Sequence, residues 1–191
     1  MILKKQGKII AVSSPSGGGK TSIVKRILKD FPEIVFSVSA TTRPKRPGEV
    51  NGVEYYFISE KEFEKKIADG EFIEWERFYD YYYGTLKSMV IDNISEGRSV
   101  LFEIDVKGAL SLKKIYPDSI LIFIDPPSFD ELVHRLKRRK TETEADLQKR
   151  IDRAKMELSF KSSFDYIFTN DELEKVYTKV KSLIKEILNK E

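Results

Sequence analysis

The sequence predicts an α/β protein in which a parallel sheet carries helices on both faces and a small mixed sheet is inserted into the fold. Three continuous apolar runs, at 8–13, 99–104 and 120–124, indicate strands buried on both sides. Segments with apolar residues at helical spacing separate them, as in proteins with parallel sheets. Residues 35–85 interrupt this alternation with a Pro- and Gly-rich loop and aromatic segments. We therefore expect that stretch to form a separate subdomain.

The first half of the chain contains clear signals for where elements begin and end. A strand at 8–13 is followed by a Gly-rich turn and a helix at 21–29, which Phe31-Pro32 should end. Strand-like segments at 35–39 and 53–58 flank a loop that cannot be regular structure. Ser59, with Glu62 three residues later, predicts a capped helix start, and Gly70 predicts its end.

The second half returns to alternating helices and strands. We predict helices at 86–96 and 106–114, each next to a buried strand, and a helix that begins after the capping residue Ser128. A break at 141–143 precedes a long charged helix that ends near residue 161. A short strand at 166–168 and an amphipathic helix from Leu173 to Ile187 complete the chain.

Composition excludes several classes of function. The chain has 191 residues and a net charge of +3, too small a charge for a general nucleic-acid binder. It has no cysteine and one histidine, His134, which excludes disulfides, thiolate catalysis and the usual zinc sites. No apolar run is long enough to span a membrane, and no signal peptide is evident. We expect a cytoplasmic protein that is a monomer or weak homo-oligomer, with neither nucleic acid nor membrane as a partner.

A phosphate-binding loop stands between the first strand and the first helix. Ser14-Pro15-Ser16-Gly17-Gly18-Gly19-Lys20-Thr21 has the glycines and the Lys-Thr ending of a P-loop, although Ser14 replaces the first glycine. Backbone N–H groups and the helix N-terminus would bind phosphate oxygens, Lys20 would reach the β- and γ-phosphates, and the Thr21 hydroxyl would ligate Mg²⁺. We expect serine to be tolerated because it is small. The fold is thus of the P-loop NTPase type, with Ser22 completing the ATP-binding loop.

Further motifs give the chain a specific resemblance over nearly its whole length. They are Ser37-Val38-Ser39-Ala40-Thr41-Thr42-Arg43-Pro44, Arg46-Pro47-Gly48-Glu49-Val50-Asn51-Gly52-Val53-Glu54-Tyr55, Phe72-Ile73-Glu74-Trp75, Tyr82-Tyr83-Gly84, Glu103-Ile104-Asp105-Val106-Lys107-Gly108 and Thr141-Glu142-Thr143-Glu144. Together these blocks resemble the signature of guanylate kinases. The resemblance implies a core at 1–34, 86–125 and 162–191, a GMP-binding subdomain at 35–85 and a helical lid at about 126–161.

The resemblance also implies a GMP site, and residue chemistry supports it. Arginines on a Pro-stiffened loop suit a phosphate dianion, tyrosine hydroxyls can donate to it, and carboxylates suit the N1–H and N2–H₂ donors of guanine. The alternative interpretation of the arginines is a solvated basic loop without a binding role. The alternative for Glu103 is a buried acid at the end of a strand. The expected GMP-binding residues are Arg43, Arg46, Tyr55 and Tyr83 at the phosphate, Glu74 and Glu103 at the guanine donors, and Ser39 and Thr85 near O6.

The remaining expected site residues lie near the lid and after the last strands. The family resemblance implies that lid arginines reach the transferring phosphoryl group, and register favours Arg139 and Arg150, then Arg135. The expected catalytic residues are Lys20, Arg43, Arg139 and Arg150. Arg138 and Arg153 are expected on a solvated helix face.

Two residues keep alternative interpretations. Asp105 either directs magnesium through a water molecule or caps the next helix. Asn170 either contacts adenine or caps the last helix.

The expected reaction is Mg²⁺-dependent transfer of the ATP γ-phosphoryl group to GMP, without a covalent intermediate or a strong general base. A kinase for another nucleotide or small molecule would share the same core. A guanylate-kinase-like module that only binds a partner protein is a second alternative, although Lys20 and Thr21 argue against it.

Overall fold

The computed structural model describes residues 6–78, 80–138 and 144–189. In chain order its strands are β1 (Ile9–Ser13), β2 (Val35–Phe36), β3 (Ala40–Thr41), β4 (Tyr56–Phe57), β5 (Phe72–Phe78), β6 (Tyr81–Leu86), β7 (Val100–Glu103), β8 (Ile120–Asp125) and β9 (Tyr166–Thr169). Its helices are α1 (Lys20–Asp30), α2 (Glu60–Ala68), α3 (Lys87–Ser95), α4 (Val106–Ile115), α5 (Phe129–Lys137), α6 (Glu144–Ser159) and α7 (Leu173–Asn189), with a 3₁₀ turn at Lys161–Ser163.

The larger sheet has five parallel strands in the order β2-β7-β1-β8-β9. Its side chains alternate between two apolar layers, so Ile10 packs with Ile23 of α1 and Ile184 of α7 on one face. On the other face Phe102 packs with Leu112 of α4. The prediction of a parallel sheet covered by helices on both sides is confirmed.

The smaller sheet is mixed, in the order β4-β3-β6-β5. β3 pairs with β4 in parallel, whereas β6 pairs antiparallel with both β3 and β5. Helix α2 covers this sheet through the fully buried Phe63, whose ring stacks on Phe72 with centroids 4.3 Å apart and on Tyr82 at 5.2 Å. The predicted small mixed sheet is confirmed.

One boundary in the sequence prediction is wrong. The sequence pattern places residues 35 and 36 in the inserted subdomain, but β2 pairs in parallel with β7, so Val35 and Phe36 belong to the larger sheet. The strand is only two residues long, and its partner is distant in sequence, so local pattern does not reveal which sheet it joins.

The predicted helix starts are confirmed at two serines. Ser59 and Ser128 each accept a hydrogen bond at Oγ, from the backbone N–H groups of Glu62 and Glu131 respectively. Helices α5 and α6 pack together through Leu132, Leu136 and Ala154. The predicted break at 141–143 lies outside the described residues. Within the described ranges, no helix is both long and apolar enough to cross a membrane.

Candidate active site

A cleft of about 960 Å³ lies at the carboxyl ends of β1 and β7, between the loop after β1, the smaller sheet and α6. Ligands of open α/β sheets characteristically bind at this edge. The predicted site residues that line it are Ser14, Ser16, Lys20, Thr21, Ser39, Arg46, Tyr55, Glu74, Tyr83, Glu103, Asp105 and Arg150. Arg43, Thr85, Arg135 and Asn170 lie outside the lining but contact residues near it, as described below. The fold therefore gathers residues from both predicted substrate sites into one cavity.

The loop between β1 and α1 has the backbone geometry that its glycines predict. Gly17 and Gly19 have φ angles of 88° and 95°, in the left-handed region that favours glycine. Ser14 is buried and donates its hydroxyl to the Pro15 carbonyl at 3.0 Å. A Cβ at Gly18 would lie 2.8 Å from the Ser14 Cβ, so the chain accommodates serine at position 14 next to a glycine at position 18.

Glu103 lies against the phosphate loop. Because β7 is the neighbour of β1, the end of β7 faces the first turn of α1, and the Thr21 hydroxyl donates a hydrogen bond to the Glu103 carboxylate. The family resemblance instead implies Glu103 beside Glu74, at the donor edge of guanine. Register between the two strands decides this position, and the register cannot be obtained from either strand alone.

Asp105, rather than Glu103, lies beside Glu74. A Cβ added at Gly108 would lie 3.1 Å from Asp105 Oδ1 and 3.1 Å from Glu74 Oε2, so the two carboxylates flank the same glycine. Asp105 is the N-cap of α4, with Oδ1 accepting the Gly108 N–H at 2.7 Å, which confirms the capping alternative. Burial opposes ionisation of Asp105, but hydrogen bonds from Glu76 and Gly108 outweigh it and hold its pKa below the ordinary value.

Glu74 is a buried acid held by Thr85. The Thr85 hydroxyl, which is fully buried, donates to Glu74 Oε1 at 2.7 Å. Burial, together with the charges of Asp105 and Glu76, raises the pKa of Glu74 to about 7 against the opposing hydrogen bond from Thr85. Thr85 was expected near guanine O6, but in the structure its hydroxyl proton is used to orient Glu74.

Arg43 is buried and its guanidinium is already paired. Nη2 and Nη1 donate to the two carboxylate oxygens of Glu49 at 2.7 and 3.0 Å, while the guanidinium lies over the rings of Tyr55 and Phe57 at 5.5 and 5.6 Å. A carboxylate in this arrangement occupies the two-pronged geometry in which a phosphate also binds. Sequence analysis did not single out Glu49, although it lies six residues from Arg43 in the same Pro-rich loop.

The smaller sheet also presents two tyrosines to the cleft. Tyr55 and Tyr83 line it together, and their rings meet edge to face with centroids 5.9 Å apart. Arg46 lines the same cavity and donates its backbone N–H to Glu49 at 2.7 Å. Arg43, Arg46, Tyr55 and Tyr83 therefore lie in one region, as expected for a shared phosphate ligand.

Two of the predicted ATP-side residues contact the phosphate loop directly. Arg150 on α6 donates from Nη2 to the Ser16 hydroxyl at 2.5 Å. Asn170 is buried and donates from Nδ2 to the Gly18 carbonyl at 2.9 Å. The interpretation of Asn170 as a helix cap is wrong, because α7 begins at Leu173, three residues later. Arg139, a predicted catalytic residue, lies outside the described residues.

Arg135 lies close to the same end of the sheet. Its Nε donates to Glu131 at 2.8 Å, and its Nη2 donates to the Asn170 backbone carbonyl at 3.5 Å. Arg138 is exposed, as predicted for a solvated helix face.

The prediction for Arg153 is wrong. Its guanidinium donates to Glu76 and Asp105 at 2.7 Å each and to Glu157 at 2.9 Å. Signals for this contact were present in the sequence. Glu76 is two residues beyond Glu74, on the same face of a strand, and Arg153 is three residues beyond Arg150, on the same face of a helix.

The oxygen ligands near the phosphate loop fit a magnesium ion. Thr21 and Glu103 place a hydroxyl and a carboxylate side by side, and Mg²⁺ prefers oxygen ligands. Among the described ranges, no cluster of three or more acidic or histidine side chains could hold a metal alone. Magnesium typically uses one or two carboxylates together with substrate phosphates and water, so the residues present suit that mode.

Comparison with known proteins agrees with this geometry. The family model described as guanylate kinase matches residues 6–187. A guanylate kinase from Thermotoga maritima is 48% identical over 94% of this chain and 87% of its own length. One from Chlorobaculum tepidum is 47% identical over 96% and 94%. The crystal structure of guanylate kinase from Anaplasma phagocytophilum superposes with a TM-score of 0.79 at 31% identity, covering 100% of this chain and 90% of that one. Since the family model covers most of the chain and these relatives match nearly all of it, the chain belongs to the guanylate kinase family.

Proposed function

We propose that this chain transfers the γ-phosphoryl group of ATP to GMP and releases ADP and GDP. The observation that carries the proposal is a single cleft with the phosphate loop on one side and the carboxylates of Glu74 and Asp105 on the other. The relatives that cover most of the chain are guanylate kinases, which supports the same pair of substrates.

ATP would bind at the loop between β1 and α1. The backbone N–H groups of residues 16–19 and the N-terminus of α1 bind the phosphates, and Lys20 neutralises charge on the β- and γ-phosphates. Asn170 supports this loop through its hydrogen bond to Gly18. Arg135 contacts the Asn170 carbonyl and lies at the side of the site where adenosine would enter.

Magnesium would be held by Thr21, and we assign the acid that directs it to Glu103. In P-loop enzymes the loop hydroxyl and an acid at the end of a neighbouring strand hold this ion, and Glu103 is the acid that Thr21 contacts. When bound, the ion supplies positive charge to the β- and γ-phosphate oxygens. We do not assign Asp105 to the metal, because it caps α4 and pairs with Arg153.

GMP would bind against the smaller sheet. Arg43, Arg46, Tyr55 and Tyr83 supply donors for the phosphate dianion, with Glu49 holding Arg43 in place between substrates. Glu74 and Asp105 accept hydrogen bonds from the N1–H and N2–H₂ groups of guanine, and Ser39 donates to O6. Adenine has no N1–H donor, so these buried acceptors would be left unpaired against it, which is how polar sites produce large discrimination.

The chemistry then needs positioning and charge neutralisation more than proton transfer. The phosphate oxygen of GMP is already ionised, so it attacks in line without a general base. Lys20 and Arg150 stabilise charge on the moving phosphoryl group, and we also assign Arg139 to this role. Closure of the subdomain at 37–85 and of the predicted lid at about 126–161 would exclude water and prevent hydrolysis of ATP.

A substrate panel tests the proposal. The purified chain with ATP and Mg²⁺ is expected to phosphorylate GMP well ahead of AMP, UMP and dTMP in a coupled ADP-release assay. Preference for another monophosphate would make the chain a different kinase. Failure to bind ATP at millimolar concentration would favour a module that only binds a partner protein.

A variant of the phosphate loop tests the role of Lys20. Lys20→Ala is expected to lose turnover while its melting temperature stays close to that of the unmodified chain, because the side chain lines the cleft and lies outside the core. Lys29→Ala, at an exposed position on the same helix, is the matched control. Near-normal turnover by Lys20→Ala would refute the assignment. The cytoplasmic location, the absence of nucleic-acid partners and the oligomeric state stay predictions.

A further inference from the structure

Arg153 connects three segments of the chain that are far apart in sequence. It stands on α6, and its Nη2 lies 2.7 Å from Glu76 Oε2 on β5 and 2.7 Å from Asp105 Oδ2 at the start of α4. Its Nε donates to Glu157 Oε1 at 2.9 Å, one helical turn along α6. The side chains of Arg153 and Glu76 are 21% and 27% exposed, so this is a largely enclosed contact and not a surface ion pair.

We propose that Arg153 is a positioning residue for guanine recognition, which acts by holding Asp105 beside Glu74 and by holding β5 against α6. The inference rests on the proposed GMP kinase activity and adds to it a residue that does not itself touch the base. The guanidinium connects β5 of the smaller sheet, the start of α4 and helix α6 at the point where Asp105 lies beside Glu74.

The geometry of Asp105 shows how Arg153 acts through another residue. Oδ1 of Asp105 accepts the Gly108 N–H at 2.7 Å, and Oδ2 accepts the Arg153 hydrogen bond. Because each carboxylate oxygen has its own donor, the plane of the carboxylate is determined. Without Arg153, Asp105 Oδ2 would lose its charged donor, and the carboxylate could rotate away from Glu74 across Gly108.

The charges around Arg153 predict that the effects of substituting Arg153 and of substituting Glu76 on GMP binding are not additive. One guanidinium is shared by Glu76, Asp105 and Glu157, and Glu157 is almost fully buried. The ammonium group of Lys107 approaches Glu76 only to 4.0 Å, on a side chain that is 59% exposed. Burial and Asp105 already raise the pKa of Glu76 to about 7, and Arg153 is the charge that opposes this shift. Removing Arg153 alone therefore leaves two crowded acids without their shared cation, whereas removing Glu76 as well removes one of those acids.

The experiment is a double-mutant cycle with Arg153→Gln, Glu76→Gln and the combined variant. Arg153→Gln is expected to raise KM for GMP roughly tenfold, within the range of coupling between contacting charged residues, and to change KM for ATP less than about twofold. The combined variant is expected to have a lower KM for GMP than Arg153→Gln alone. Lys155→Gln, at an exposed position on the same helix, is the matched control and should behave like the unmodified chain.

Two further measurements separate positioning from a general structural effect. IMP lacks the amino group of guanine at C2, so a misplaced Asp105 should lower the preference for GMP over IMP in kcat/KM. Arg153→Lys keeps the charge but cannot span both carboxylates as the planar guanidinium does, so it is expected to recover only part of that preference. A merely structural role would leave the preference for GMP over IMP unchanged in both Arg153 variants.

The outcomes distinguish this inference from the proposed function. If the unmodified chain does not phosphorylate GMP, the proposed function fails and Arg153 loses the role assigned to it. If GMP turnover is present, the positioning role is overturned by an Arg153→Gln variant with unchanged KM for GMP and unchanged GMP-to-IMP preference. It is also overturned by equal rises in both KM values or by additive losses in the combined variant. Should Arg153→Gln fail to fold, the change in KM for GMP relative to KM for ATP, and the GMP-to-IMP preference, would be measured on Arg153→Lys and Glu76→Gln instead.

Discussion

Lowering the pH from about 8 to about 6 is expected to weaken guanine binding about tenfold through protonation of Glu74. Burial is the main reason that the pKa of Glu74 is raised to about 7, with smaller contributions from Asp105 and Glu76. A carboxyl group with this pKa is ionised in about a tenth of molecules at pH 6 and in most molecules at pH 8. Only the ionised carboxylate accepts the hydrogen bonds of N1–H and N2–H₂ without having to lose a proton first.

Guanosine is the right probe for this effect, because the phosphate of GMP titrates near pH 6 and would add its own pH dependence. Its affinity would be measured by isothermal titration calorimetry across this pH range. Titrations at neutral pH in two buffers of different ionisation heat should reveal release of a proton on binding. Glu74→Gln should bind guanosine weakly and lose most of the pH dependence, with a remainder from Glu76, whose pKa is also raised to about 7 by burial and by Asp105. Glu64→Gln, at an exposed acid on α2, should keep the full pH dependence. Constant guanosine affinity between pH 6 and 8, or pH dependence that is undiminished in Glu74→Gln, would refute the assignment to Glu74.

The raised pKa of Glu74 also affects stability, in the opposite direction: guanine binding is expected to weaken as the pH falls, whereas the folded state is expected to become more stable. Between the ordinary value of 4.5 and about 7, the folded chain binds a proton at Glu74 that the unfolded chain does not. Its favourable contribution is therefore complete below pH 4.5 and is lost as pH rises through about 7, a change on the order of 3 kcal/mol in the free energy of unfolding. Glu74→Gln is expected to reduce the slope of the stability profile over that interval in urea unfolding, leaving the part that comes from Glu76, whose pKa is also raised to about 7. An unchanged slope would contradict the shift.

Three substitutions test other parts of the site. Arg150→Ala should lower kcat by about 10³ with little change in KM for GMP, because the side chain reaches the phosphate loop from α6. Single-turnover rates would measure this loss, and a normal kcat would refute the assignment of Arg150. Phe63→Ala should destabilise the chain by about 3–5 kcal/mol, because its buried ring stacks on Phe72; a loss under 1 kcal/mol in urea unfolding would contradict that packing. Asn170→Ala should weaken ATP binding severalfold by freeing the Gly18 carbonyl, with GMP affinity unchanged by calorimetry.

Several features were predictable because they depend on residues that are close together in the chain. The turn after β1 needs glycines at positions with positive φ, and the pattern from Ser14 to Thr21 shows them directly. Ser59 and Ser128 cap helices through the third residue that follows, a purely local hydrogen bond. The parallel sheet follows from apolar strands separated by helices, since only a sheet covered on both faces buries such strands.

The assignments that changed are those that depend on contacts across the fold. Glu103 and Asp105 are both acids at the end of β7, and only the register of β7 against β1 decides which of them meets Thr21. Arg153 resembles a solvated helix residue until α6 is placed beside β5 and Glu76. The sequence predicts Thr85 near guanine O6, but in the structure its buried hydroxyl holds Glu74.

The sequence by itself determined the phosphate loop, the fold class and the family resemblance, because each is encoded by short spacings and by residue types at those spacings. Tertiary structure alone decided which acid contacts Thr21 of the phosphate loop, which acid lies beside Glu74 and which arginine contacts Asp105 and Glu76. Those roles depend on side chains that approach within about 3 Å across segments dozens of residues apart, and a distance of that kind is set by strand register and helix packing.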